Sequence, residues 1–172
     1  MEKVLILCDN NENISKVNNY LKSDKYKNLD IVSSCSINDI NNDDISSVIY
    51  IGECQRYNAN LENGSIILVN EVFTNINGED KRILSSFGLN YYLTEASEKL
   101  NKAISIVNIS SNDDLKDQMY NKYTCLAVNK NVYNIFNEAL LLNKKFSGLL
   151  KIEDDLSTNY SDIIEIVLES LL

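Results

Sequence analysis

The chain of 172 residues contains no histidine, no proline and no tryptophan. Without histidine, Ser-His-Asp and Cys-His catalysis are excluded, and the commonest ligand of zinc and iron is missing. Only two arginines occur, Arg56 and Arg82, so bidentate recognition of phosphate has few candidates. No apolar run approaches the roughly 20 residues that span a bilayer. The start, Met1 to Cys8, runs straight into Asp9 and reads as a first strand rather than a signal peptide. No CxxC pair occurs among Cys8, Cys35, Cys54 and Cys125, which read as small core residues of a reducing compartment. Positive charge is also scarce: the net charge is −9 and the pI near 4.5. An acidic surface repels phosphate backbones and anionic lipids, so neither nucleic acid nor membrane is expected as a partner. A soluble, cytoplasmic location follows as an expectation.

What is present is a chain rich in aliphatic and β-branched residues. Hydrophobic residues make up 44% and charged residues 24%, a globular balance that a disordered chain would lack. Asparagine is the commonest residue and serves the turns and helix ends, where its side chain bonds the local backbone. Strands are expected at Lys3–Cys8, Asp30–Cys35, Ser47–Gly52, Ser65–Phe73, Thr124–Val128 and Gly148–Ile152. Several are apolar at consecutive positions, which suits strands covered on both faces. Helical spacing joins Ile14, Val17 and Leu21, with Asn11 or Asn13 as cap. It also joins Leu93, Ala96, Leu100, Ala103 and Val107, then Leu115 and Met119, then Val132, Ile135, Phe136, Ala139 and Leu140. A last helix is expected from Thr158 to Leu172, capped by Thr158 or Ser161. The alternation predicts one domain over residues 1–172. Its fold class is three-layer α/β, with a mostly parallel or mixed sheet flanked by helices. The strand from Ser65 is long enough to change neighbours part-way. Leu140, Leu141 and Leu142 exceed what one helix face can bury, which points to a homodimer unless neighbouring elements cover them.

Three places carry candidate chemistry. Asp9-Asn10-Asn11-Glu12 follows the first strand, where acids bind metal in response-regulator receiver domains; the plainer reading is a loop with a helix cap. Gly88 to Thr94 resembles the receiver segment before its last helix. Yet the third strand, Ser47 to Gly52, has no Asp to phosphorylate, and Glu95 stands where the receiver has lysine. Gly52-Glu53-Cys54-Gln55-Arg56 follows another strand and is either an anion-facing turn or simply a tight one. Glu153-Asp154-Asp155 follows the last strand, where open α/β sheets bind ligands. Neighbouring negative charge there can hold one carboxyl protonated as a proton donor. The alternative is solvated acids at a helix start.

Read in order, these segments resemble the nucleoside phosphorylases and nucleosidases over about residues 46–172. Ile49 to Cys54 stands where the family has a strand ending in Gly-x-Ala-Gly-Gly, and Leu61 to Val72 stands at its Gly-Asp and following strand. Tyr123 to Val132 replaces the family's Ala-Val-Asp-Met-Glu. Phe146 to Asp155 matches Arg-x-x-Ser-Asp, with Lys151 at the Arg and Asp155 at the Asp. The resemblance implies a nucleoside or purine base as ligand, no cofactor and no metal. It implies Asp155 as the residue that protonates the base, and Gly52, Glu53, Asn129, Asn131 and Asp154 as ligand-binding positions. The departures are specific. Asn131 replaces the Glu that holds the ribose hydroxyls, and Gln55-Arg56 replaces the Gly-Gly turn. The expected function is therefore a purine-nucleoside-binding domain with little or no catalysis. The alternatives are an active nucleosidase or phosphorylase with altered residues, and a receiver-like interaction module without phospho-Asp.

Overall fold

A computed structural model describes residues 2–57, 61–153 and 159–172. Strands and helices follow one another among the described residues in the order β1 (Lys3–Cys8), α1 (Asn11–Leu21), β2 (Ile31–Ser34), β3 (Ile45–Arg56), β4 (Ile66–Ile76), β5 (Glu79–Leu84), α2 (Phe87–Lys99), β6 (Ile104–Ser110), α3 (Lys116–Tyr123), β7 (Cys125–Val128), α4 (Val132–Leu141), β8 (Lys145–Ile152) and α5 (Ser161–Ser170). A 3₁₀ turn, Ile37–Asn41, leads into β3.

The sheet is mixed and mainly parallel. β1 pairs in parallel with β2 and β3, β3 with β8, β4 with β6, and β6 with β7. Antiparallel pairs join β3 to β7, β4 to β5 and β4 to β8. Pairing runs β3–β8–β4–β6–β7 and back to β3, so five strands close into a ring with β1, β2 and β5 outside it. Closure removes edges that would otherwise expose unpaired backbone. The continuous apolar runs find cover on both faces, as expected. Leu5, Leu7, Val48 and Tyr50 face one core with α4, while Val4, Ile6, Ile49 and Ile51 face the other with α5. Helices on both sides of the sheet make the three layers foreseen from alternation.

Two long strands change partners. β4 pairs with β8 over Ile66–Leu68, then with β5 over Glu71–Ile76. Asn70 is the extra residue where its register to β6 shifts. β3 pairs with β1 as far as Ile51 opposite Cys8, runs on, and meets β7 at Gln55 and Arg56.

Several expectations need correction. The stripe from Leu93 to Val107 is not one helix. α2 stops because Asn101 takes a left-handed φ of 54°, and β-branched Ile104 to Ile109 then form β6. β5 was hidden by its composition: Glu79-Asp80-Lys81-Arg82 looks like a loop but is a charged edge strand. Asn77 and Gly78, both at positive φ, make the tight turn into it. The cap of α1 is Asn10, which accepts from the Asn13 amide at 2.9 Å, not Asn11 or Asn13. The last helix starts at Ser161; Thr158 lies outside the described residues. Gly52 sits within β3, opposite Leu150, rather than in a turn. Cys35 is exposed, unlike the other three cysteines. The receiver-like alternative does not describe this closed ring of strands.

Candidate active site

The partner change on β3 opens a crevice. Along one edge of that strand β1 ends at Cys8, β7 begins only opposite Gln55, and Gly52 to Cys54 lie between. Such switch points are where α/β sheets bind ligands, because chains diverge there and leave a hole at the strand ends. Two of the predicted ligand-binding residues, Glu53 and Asn129, line a cleft of about 300 Å³ here together with Glu153. Asn131 lines a second cleft of about 320 Å³ beside Asp9, Tyr50 and Cys8. Glu53 also borders a third, with Asn13 and Tyr160. The first two lie at the lower end of the ~300–1,000 Å³ usual for small-molecule sites.

The local sequence explains each position. Asp9 immediately follows β1, and its carboxylate is fixed from both sides. Asn10 and Asn13 side-chain amides donate to Oδ1 at 3.2 and 3.3 Å. The Glu53 amide donates to Oδ2 at 3.2 Å and the Tyr160 hydroxyl at 3.5 Å. Asp9 is open to the cleft, but burial of its inner side raises its pKa above the ordinary value, with the Glu53 charge adding to the shift. Burial likewise pushes the Cys8 thiol up to about 12, so it stays protonated and inert at neutral pH. Burial first, then the Asp9 and Glu53 carboxylates, keeps the Tyr160 hydroxyl a proton donor.

Asn129 and Asn131 are two residues apart yet serve differently. The buried Asn129 amide is fully used within the protein. Nδ2 donates to the Glu53 carbonyl at 2.6 Å and the Tyr50 hydroxyl at 3.3 Å. Oδ1 accepts from the Asn131 and Val132 amides at 2.9 Å each, closing the start of α4. Asn131 is exposed, lines the second cleft and lies beside the Tyr50 hydroxyl. Gly52 makes room for Tyr50: an added Cβ would stand 2.5 Å from the Tyr50 hydroxyl oxygen. Asp154 and Asp155 lie outside the described residues, so their place relative to this crevice is not described.

The two arginines and Lys151 are held by other groups. Arg56 donates to the Leu61 carbonyl at 2.7 Å, and Arg82 lies 3.5 Å from Glu71. Lys151, at the resembled family's arginine position, holds the Asn159 carbonyl and Asp162 at 2.7 and 2.8 Å. Among the described residues, no group of three or more metal-ligating side chains converges, and no helix is long and apolar enough to cross a membrane. The sequence offered Asp9 as a receiver-like metal-binding acid or part of a capped loop, not as a residue of a nucleoside site, and it did not mark Tyr50 or Tyr160. An acid directly after a buried first strand was the available signal for Asp9. The two tyrosines gave none, because apolar periodicity treats them as core.

No protein-family model and no curated protein sequence matches the chain. Solved structures do. A futalosine hydrolase mutant of Helicobacter pylori aligns with a TM-score of 0.84 at 14% identity, covering 99% of this chain and 98% of that one. The Campylobacter jejuni 5′-methylthioadenosine/S-adenosylhomocysteine nucleosidase gives 0.75 at 15% identity, covering 99% and 94%. An Asp-to-Asn mutant of the Helicobacter pylori nucleosidase with 5′-methylthioadenosine in its active site gives 0.74 at 13%, covering 99% and 95%. The likeness thus includes the first 45 residues, which the sequence resemblance did not reach. Across almost its whole length, this chain has the three-layer α/β fold of the nucleosidases and nucleoside phosphorylases.

Proposed function

We propose that the chain binds a purine nucleoside in the crevice where β1 gives way to β7, and that it cleaves the N-glycosidic bond weakly or not at all. One observation carries the reading: Asn131 and Asp9 face a single cleft in a nucleosidase fold, and Asn131 stands where the resembled family has its ribose-binding Glu. Cleavage builds positive charge on the ribose and negative charge on the base. Asn131 can hydrogen-bond a hydroxyl but cannot stabilise that positive charge. Loss of one such contact typically costs about 10² to 10³ in rate. Phosphorolysis is further disfavoured because Gln55-Arg56 replaces the resembled family's Gly-Gly turn, whose backbone N–H groups would face phosphate. The ligand is a small molecule, and neither nucleic acid nor membrane is proposed as a partner.

Asp9 favours a second reading, hydrolysis. A carboxylate with a raised pKa, open to the cleft and fixed by four donors, has the attributes of a base that takes a proton from water. The deciding experiment measures two things on the same preparation: calorimetric binding, and free-base release from inosine, adenosine and methylthioadenosine with and without phosphate. Wild type, Asn131→Glu and Asp155→Asn are compared. Binding with negligible release, and a gain of release in Asn131→Glu, supports the proposal. Robust wild-type release abolished by Asp155→Asn identifies a working enzyme instead. Absence of binding by every nucleoside rejects both readings.

A further inference from the structure

Glu53 borders the first and third clefts, next to the Asp9 that lines the second, and its backbone is held at both ends. Its N–H donates to Asp9 at 3.2 Å and its carbonyl accepts from Asn129 at 2.6 Å. Pairing with Lys151 on β8 fixes it from the other edge. The side chain is therefore delivered into the crevice by a strand, not by a mobile loop. The Asp9 carboxylate and the Tyr160 hydroxyl stand beside it. No free cation among the described lining residues answers these two acids. Lys16 is paired with Glu12 at 3.1 Å and Lys130 with Asp113 at 3.8 Å. Glu153, on the first of these clefts, adds a third acid, and among the described residues its side chain meets the neutral Gln55 amide, at 3.3 Å. Concave walls of low dielectric concentrate such a field on whatever enters.

We infer that Asp9 and Glu53 together select the ligand by charge, admitting nucleosides that are neutral or carry a cation and turning away nucleotides that carry a phosphate. This rests on the reading of the crevice as a nucleoside site and adds a specificity to it. In that role Glu53 is the discriminating residue, since it borders two clefts, its backbone is anchored on both sides, and its carboxylate is left with the Tyr160 hydroxyl, a neutral partner.

Adenosine, 5′-amino-5′-deoxyadenosine and adenosine 5′-monophosphate share base and ribose and differ in the charge at the 5′ end. Each is titrated into the whole chain at pH 7.5 and low salt by calorimetry. The monophosphate is expected to bind at least about tenfold more weakly than adenosine, and the amine at least as tightly, with the gap narrowing in salt. Glu53→Gln should narrow the gap and Glu53→Lys should invert it; thermal melts establish that both variants fold. Monophosphate binding equal to that of adenosine overturns the inference alone, as does a ratio unchanged in both folded variants. Failure of all three probes overturns the nucleoside reading and the inference with it.

Discussion

Gly52 and Asn129 show how one residue's role depends on a neighbour that sequence spacing does not reveal. The sequence marks Gly52 as special, and it is, but the reason is the Tyr50 ring two positions earlier on the same strand face. Alternation puts the two side chains on one side; only packing tells that the ring lies across the glycine. Asn129 and Asn131 are equally visible in the sequence, yet direction separates them. One turns inward to satisfy four backbone and hydroxyl partners, and the other opens to solvent. Gly52→Ala should place its methyl carbon 2.5 Å from the Tyr50 oxygen and 2.8 Å from its Cζ. Tyr50 is buried in a packed core and cannot swing freely. Overpacking of this kind costs about 1–3 kcal/mol. The shifted hydroxyl would also leave Asn129, so nucleoside binding should weaken alongside stability. Urea unfolding and near-UV circular dichroism read both effects; an unchanged midpoint with an unchanged tyrosine signal would mean that the ring relaxes at no cost.

At the scale of elements, the strands with apolar runs were legible and the charged or truncated ones were not. β1, β4 and β8 are buried on both faces, so their composition betrays them. β5 carries its charges outward on an edge, and β6 continues an apolar rhythm that helical spacing also fits. The tie between α5 and the rest of its layer was equally hidden, because it depends on contacts distant in sequence. Glu169 near the end of α5 has a side chain only 2% exposed, and Lys25 holds it at 2.6 Å while Lys99 meets its other oxygen. Lys25 first, then Lys99, holds the Glu169 carboxyl below its ordinary value near 4.5. A carboxylate with a depressed folded pKa stabilises the fold above its unfolded pKa. That contribution is lost as pH falls through the folded value. Glu169→Gln should therefore destabilise the protein at pH 7 by about 1–2 kcal/mol, the lower part of the range for charged hydrogen bonds because both lysine ends are exposed. The difference from wild type should shrink as pH drops below about 4. Melting curves of both proteins from pH 3 to pH 8 test this, and a difference that stays constant across the range would rule out the ionised carboxylate as its source.

At the scale of the whole molecule, five strands close into a ring with the crevice at the strand ends, and several large apolar side chains stand exposed outside it. α4 sends Val132, Ile135, Phe136 and Ala139 into the core. The three leucines that follow span about 200° of helix at about 100° per residue, so they cannot all share that face. The structure leaves each of them exposed, Leu141 to 72%, so neighbouring elements do not cover them. Phe87, at the start of α2, is 85% exposed, with Tyr91 and Tyr92 also exposed on the next turn. Isolated surface apolars are ordinary, but runs of large ones are characteristic of surfaces that meet another protein. A second copy of the chain is the expected partner, as the leucine run suggested from sequence. The net charge of −9 opposes it: two such copies repel at a distance, and salt screens that repulsion while leaving apolar contact intact. Self-association should therefore strengthen from 20 mM to about 300 mM salt, over which the Debye length falls from roughly 20 Å to roughly 6 Å. Leu141→Glu or Phe87→Asp should weaken it, since each sets a charge in an apolar contact without touching the core. Which of the two acts tells which patch is the interface. Sedimentation velocity at micromolar concentration gives the mass directly. A monomer at every salt concentration, or a dimer indifferent to both substitutions, would mean that neither patch holds two copies together.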